Sequence, residues 1–90
     1  MLEKCKLALR ITTDAFDNEL NLLIAAAELD LGIAGVQYVD DPLCNLAVMT
    51  YVKLHFGSPD EYDKLERSYN EQKAQLSTSS DYADRGGIYG

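Results

Sequence analysis

The stretch Thr12–Gly35, TTDAFDNELNLLIAAAELDLGIAG, is the longest segment of the chain with one consistent helical reading. Thr13 or Asp14 can cap the first free backbone N–H groups. Asp14, Asp17 and Glu19 put negative charge at the positive end of the helix dipole, and Gly32 and Gly35 provide stops. The pattern predicts a helix over Asp14–Leu31. At the angular step of an α-helix, Phe16, Leu20, Leu23, Ile24, Ala27 and Leu31 gather into one broad apolar stripe, the expected core face. A second stripe, Leu22, Leu29 and Ile33 with Ala15 and Ala26, lies nearly opposite, and Asp14, Asn18, Asn21 and Glu28 form a polar strip between the two. Two apolar stripes need two partners. The plainer expectation sandwiches the helix between other helices of its own chain; the sharper one gives one stripe to a neighbouring subunit.

Working outward, Leu2–Leu9 places Leu2, Cys5 and Leu9 on one side with Glu3, Lys4 and Lys6 largely off it, which predicts a short helix docked on the long one. Downstream, VQYVDDP is a brief extended connector. Asp41 before Pro42 is a cap followed by proline at the first helical position, so a third helix is predicted from Pro42 to Phe56, with Gly57 ending it. Leu43, Leu46, Ala47, Thr50 and Leu54 form its main stripe, yet Cys44, Val48, Met49, Val52 and Phe56 leave few polar positions around it. Such a helix is central in its bundle, or shared with a partner. Ser58-Pro59-Asp60-Glu61 combines a serine cap, a proline at the first position and a capping-box glutamate, and predicts a fourth helix over Pro59–Ser77. Its single narrow stripe is Tyr62, Leu65, Tyr69 and Leu76 with Gln72 inside it, and Asp60–Lys64 and Asp63–Arg67 have ion-pair spacing on the wet faces. The fold expected is all-α, a small bundle of about four helices over residues 1–78, with a flexible C-terminal tail over 79–90. Tyr82, Ile88 and Tyr89 are more apolar than a solvating tail needs, so docking of the tail on a partner is the alternative to a frayed end.

Ninety residues make one domain that buries only about two-thirds of its extended surface, so oligomerisation is an expected source of stability. Fifteen acidic against eight basic residues give a net charge of −7, which opposes non-specific binding to phosphate backbones and anionic lipid. No apolar run reaches the length of a membrane span and no leader pattern is present, so a cytosolic protein is expected. Cys5 and Cys44 are expected to be buried thiols rather than a disulfide.

Chemistry is not signalled. His55 is the only histidine, and eleven residues of helix put it roughly 16 Å from Cys44, too far for a nucleophilic pair. The two cysteines and one histidine lack metal-ligand spacing, the acidic clusters are better explained as helix starts, and Gly86-Gly87 has neither a strand before it nor a helix after it to cradle phosphate. No catalytic residue, cofactor or metal site is expected.

The order of pieces carries a resemblance. LALRI (7–11), an acidic threonine-rich turn, DNELNLLIAAAELDLG (17–32), DDP (40–42), YVKLHFGSPDEYDKL (51–65) and KAQL (73–76) followed by SSDY (79–82) together resemble the small head-tail connector proteins of long-tailed phages. These are often labelled DNA-packaging proteins and occur also in prophages of Gram-positive bacteria. The resemblance covers nearly the whole chain. It implies an all-helical structural protein that forms a homo-oligomeric ring under the portal of the filled capsid, offers a docking surface to the next connector or tail component, and serves head completion. It also implies assembly in the host cytoplasm and residence in the virion. Leu9-Arg10-Ile11 matches the family's first junction, Leu23 to Ala27 its central helix, and Tyr51 to Gly57 the aromatic end of its third helix; none is catalytic there. Many relatives carry a bulkier aromatic and basic cluster after the third helix, where this chain has Lys53, His55 and Phe56, so its partner-facing surface is expected to differ.

The subunit or partner interface is expected to draw on Leu22, Leu29, Ile33, Tyr51, Val52, Tyr82, Ile88 and Tyr89. The partners implied are the chain itself, the portal protein and the adjacent connector or tail protein, with no sequence-specific nucleic acid binding and no membrane. The acidic charge fits a ring through which DNA passes, because like charge keeps the duplex off the wall. The alternative function is a small acidic monomeric adaptor or regulatory protein that binds one partner through its C-terminal tail.

Overall fold

The computed structural model describes residues 1–57, 60–79 and 82, and within them the sequence folds into four α-helices: α1 Leu2–Leu9, α2 Asp17–Ile33, α3 Pro42–His55 and α4 Tyr62–Thr78. The all-α bundle is the one the apolar periodicity predicts. α3 is the hub, packed against each of the other three helices, while α1 also rests on α2. The reason lies in its sequence, PLCNLAVMTYVKLH, whose buried positions Cys44, Ala47, Val48, Val52 and Leu54 point to more than one side. All of these but Leu54 meet Leu20, Ile24, Ala27 and Leu31 of α2, Cys5 of α1, Val36 of the connector, and Tyr69 and Leu76 of α4 in one core. Each fully enclosed Leu or Val contributes roughly 1.5–3 kcal/mol.

Local chemistry sets the boundaries where it is unopposed. Asp41 caps α3 by accepting a hydrogen bond from the Cys44 backbone N–H at 2.9 Å, with Pro42 following at the first helical position. α2 runs through Gly32 and stops at Gly35, whose φ of +88° lets the Val36 N–H turn back onto the Leu31 carbonyl at 2.9 Å.

Two starts differ from the expected ones. α2 begins at Asp17 and not Asp14, with Phe16 at the cap position and no side-chain cap. The side chains that were to cap it are otherwise engaged: Asp14 pairs with Lys6 of α1 at 2.9 Å, and the Thr13 hydroxyl accepts from the Ala15 N–H at 3.2 Å. Lys6 is accordingly buried against α2 and not turned outward, its ammonium within 2.9 Å of Asp17 as well. α4 begins at Tyr62, three residues after the expected Pro59, with no side-chain cap at Glu61; Ser58 and Pro59, which carry the predicted capping box, lie outside the described residues. Phe16, expected in the core, is exposed at the α2 start and packs its ring edge-on against Phe56, with centroids 5.4 Å apart. Leu43 and Leu46, read as core positions of α3, are also exposed. α3 is apolar nearly all round, so its tertiary partners and not its periodicity choose the buried side.

Candidate assembly surface

α2 carries the most telling surface. Leu22 and Leu29 lie two helical turns apart and Ile33 one turn further, and they are 70%, 69% and 86% exposed. None of the three belongs to the core or packs against it. Covering any one of them would stabilise the covered state by roughly 1.5–3 kcal/mol. Among the described residues the stripe therefore has no partner within the subunit, which goes against the plainer of the two sequence expectations. Ala25 is exposed beside it, and Asn18 and Glu19 mark its polar end.

A polar clamp fixes which way this stripe faces. Asp30, the neighbour of Leu29, accepts hydrogen bonds from the Tyr69 hydroxyl at 2.6 Å and the Lys73 ammonium at 3.1 Å, both on α4. Burial by itself would raise the Asp30 carboxyl, but these two donors outweigh it and hold the group below the ordinary carboxylate value. The Tyr69 phenol is pushed up, chiefly by burial and then by the Asp30 carboxylate. Lys73 also lies over the Tyr69 ring, 5.1 Å from its centroid. With Asp30 tied inward to α4, α2 cannot rotate Leu29 toward the core without breaking both bonds.

The remaining candidates divide. Tyr51 is half-buried, its ring 4.2 Å from that of His55 and 5.3 Å from that of Tyr69, so much of its surface is spent inside the subunit. Val52, expected at the interface, has no exposed surface and belongs to the core instead. Tyr82, expected in a free tail, packs on its own subunit. Its hydroxyl donates to the second carboxylate oxygen of Asp41, and its carbonyl accepts from the Gln37 N–H at 2.6 Å. That hydrogen bond, followed by the one from Cys44, holds the Asp41 carboxyl low. Ile88 and Tyr89 lie outside the described residues.

Sequence reasoning passed over Leu7, which is 80% exposed on the side of α1 away from Cys5. The signal was its absence from the Leu2, Cys5, Leu9 stripe. Cys5 and Cys44 are both buried free thiols, as expected, and burial raises each of them.

With that geometry in hand, comparison with known proteins gives one match. The model of a protein family described as phage connector protein matches residues 1–83, a span that includes all four helices and Tyr82. No curated protein and no solved structure matches the chain.

Proposed function

Because the chain belongs to the phage connector protein family, we propose that it is a structural, non-enzymatic head-tail connector, a ring-forming subunit seated between the portal and the next connector or tail component. In that place it contributes to DNA packaging and head completion, assembling in the host cytoplasm and remaining in the virion. The observation that carries this reading is the bare stripe of Leu22, Leu29 and Ile33 on α2. Contacts between identical subunits in a ring are head-to-tail, so an apolar face on one copy needs a different surface on the next and is left open in the isolated subunit. The net charge of −7 supports a channel that repels the duplex rather than one that grips it. Among the described residues, no helix is long and apolar enough to cross a membrane.

Light scattering combined with negative-stain imaging over a concentration series, with and without portal rings, tests the proposal. Rings are expected in at least one of the two conditions. Leu29→Asp should abolish them while circular dichroism keeps its helical amplitude, because an unpaired carboxylate would be buried at the contact. A protein that stays monomeric at every concentration and shows no affinity for portal rings overturns the reading in favour of the monomeric adaptor.

A further inference from the structure

A second open surface lies where the start of α3 meets α1. It is a groove of about 680 Å³ with Pro42, Leu46 and Met49 on its floor and Lys4, Asp40 and Asp41 at its edge. The edge is held rigidly: Asn45 is buried, accepts from the Tyr38 hydroxyl at 2.6 Å, and donates to Asp40 Oδ1 at 2.8 Å. The Lys4–Asp40 pair on that edge is loose. Lys4 and Asp40 stand 3.9 Å apart, their side chains 56% and 81% exposed, and both contacts of Asp40 use Oδ1.

From this groove with its apolar floor and both signs of charge, and from the anchoring of Tyr82 on Asp41 at its edge, we infer that the groove is the docking site for residues 83–90 of the same chain. Tyr82 delivers the following segment, ADRGGIYG, to the groove from a fixed point. Asp84 and Arg85 follow within about 10 Å of extended chain and carry the charges that complement Lys4 and Asp40. Ile88 and Tyr89 follow within roughly 20–25 Å and supply the aliphatic and aromatic groups that a floor of Pro42, Leu46 and Met49 accepts. A tether this short holds the segment at an effective concentration on the order of millimolar, which favours the chain's own groove over that of a second copy. The inference does not depend on ring formation, since the groove and the segment are both present in a single subunit.

The test is methyl NMR on the full chain with Leu and Met methyls labelled, comparing the native protein with an Ile88→Ser/Tyr89→Ser double variant. The Leu46 and Met49 methyl resonances should shift in the variant while those of Leu22 and Leu29 stay in place, and circular dichroism should be unchanged. In the native protein, nuclear Overhauser contacts should join the Tyr89 ring to the Met49 methyl. In a mixture of labelled and unlabelled chains, filtered spectra should show those contacts only within one molecule. Unmoved Leu46 and Met49 methyls overturn the inference. Contacts found only between molecules overturn it as well, by assigning the groove to a second copy. Either failure leaves the ring proposal standing, since rings are scored separately by light scattering.

Discussion

The two faces of α2 are built from the same residue types at the same helical spacing and meet opposite fates. Leu20, Ile24, Ala27 and Leu31 are enclosed against α3 and α1, whereas Leu22, Leu29 and Ile33 stand in solvent. The difference shows that a helix encodes how many apolar faces it has but not who covers them; here the described intrachain partners cover one face. Substitution should separate the faces sharply. Leu20→Ala or Leu31→Ala removes a fully enclosed side chain and should cost about 2–5 kcal/mol in urea unfolding. Leu29→Ala should change the stability of the monomer by no more than about 0.5 kcal/mol. If both cost the same under monomeric conditions, the outer stripe is covered in solution and the contrast fails.

The boundary between the faces gives the next largest effect. Asp30 stands beside outward-facing Leu29 and is drawn inward by Tyr69 and Lys73. Tyr69→Phe should cost about 1–2 kcal/mol, the range for a hydrogen bond to a charged group that is partly exposed. The pH dependence follows from the directions of the shifts. The folded Asp30 carboxyl lies below its unfolded value, so its contribution is complete above the unfolded carboxyl range near pH 4 and is lost as pH falls through the folded value. The folded Tyr69 phenol lies above its unfolded value, so its contribution is complete below about pH 10 and is lost as pH rises beyond that. Urea titrations across pH should show both limbs in the native protein. In Tyr69→Phe the alkaline limb should shrink to the part due to the other raised groups, Cys5, Cys44, Tyr38 and Tyr51, while an acid limb from Asp41, also held low, persists.

These contrasts also explain which features were legible in the sequence. α1 and the start of α3 could be read directly, because Asp41 and Pro42 act on backbone groups within three residues. The inner stripe of α2 could be read because its period is local. The start of α2 could not: its capping carboxylate is taken by Lys6, a residue that had been placed on the outside of α1. Val52 on the interface list, and Leu43 and Leu46 in the core, failed for one reason. On a helix apolar nearly all round, periodicity has no contrast to read, and the choice falls to α2 and α4. Tyr82 was assigned to the tail from local composition, but the acceptor that holds it is Asp41, forty-one residues away.

Gln72 is the mirror case of the outer stripe, a polar group turned inward on α4 where Leu29 is an apolar group turned outward on α2. Its Oε1 is buried without a hydrogen-bond partner among the described residues, and its Nε2 reaches the Ser68 hydroxyl only at 3.5 Å. A buried acceptor left unpaired costs stability relative to an apolar group of similar shape. Gln72→Met keeps the length and nearly the volume of the side chain while removing that acceptor, and should stabilise the monomer by about 0.5–1 kcal/mol. The comparison with Leu29 fixes what the result means. If Gln72 is only an internal defect, the variant should gain stability and assemble as the native protein does. Loss of ring formation in light scattering would mean instead that α4 repacks around Gln72 on assembly, since Oε1 is enclosed in the free subunit and can reach a neighbouring copy only after such a change.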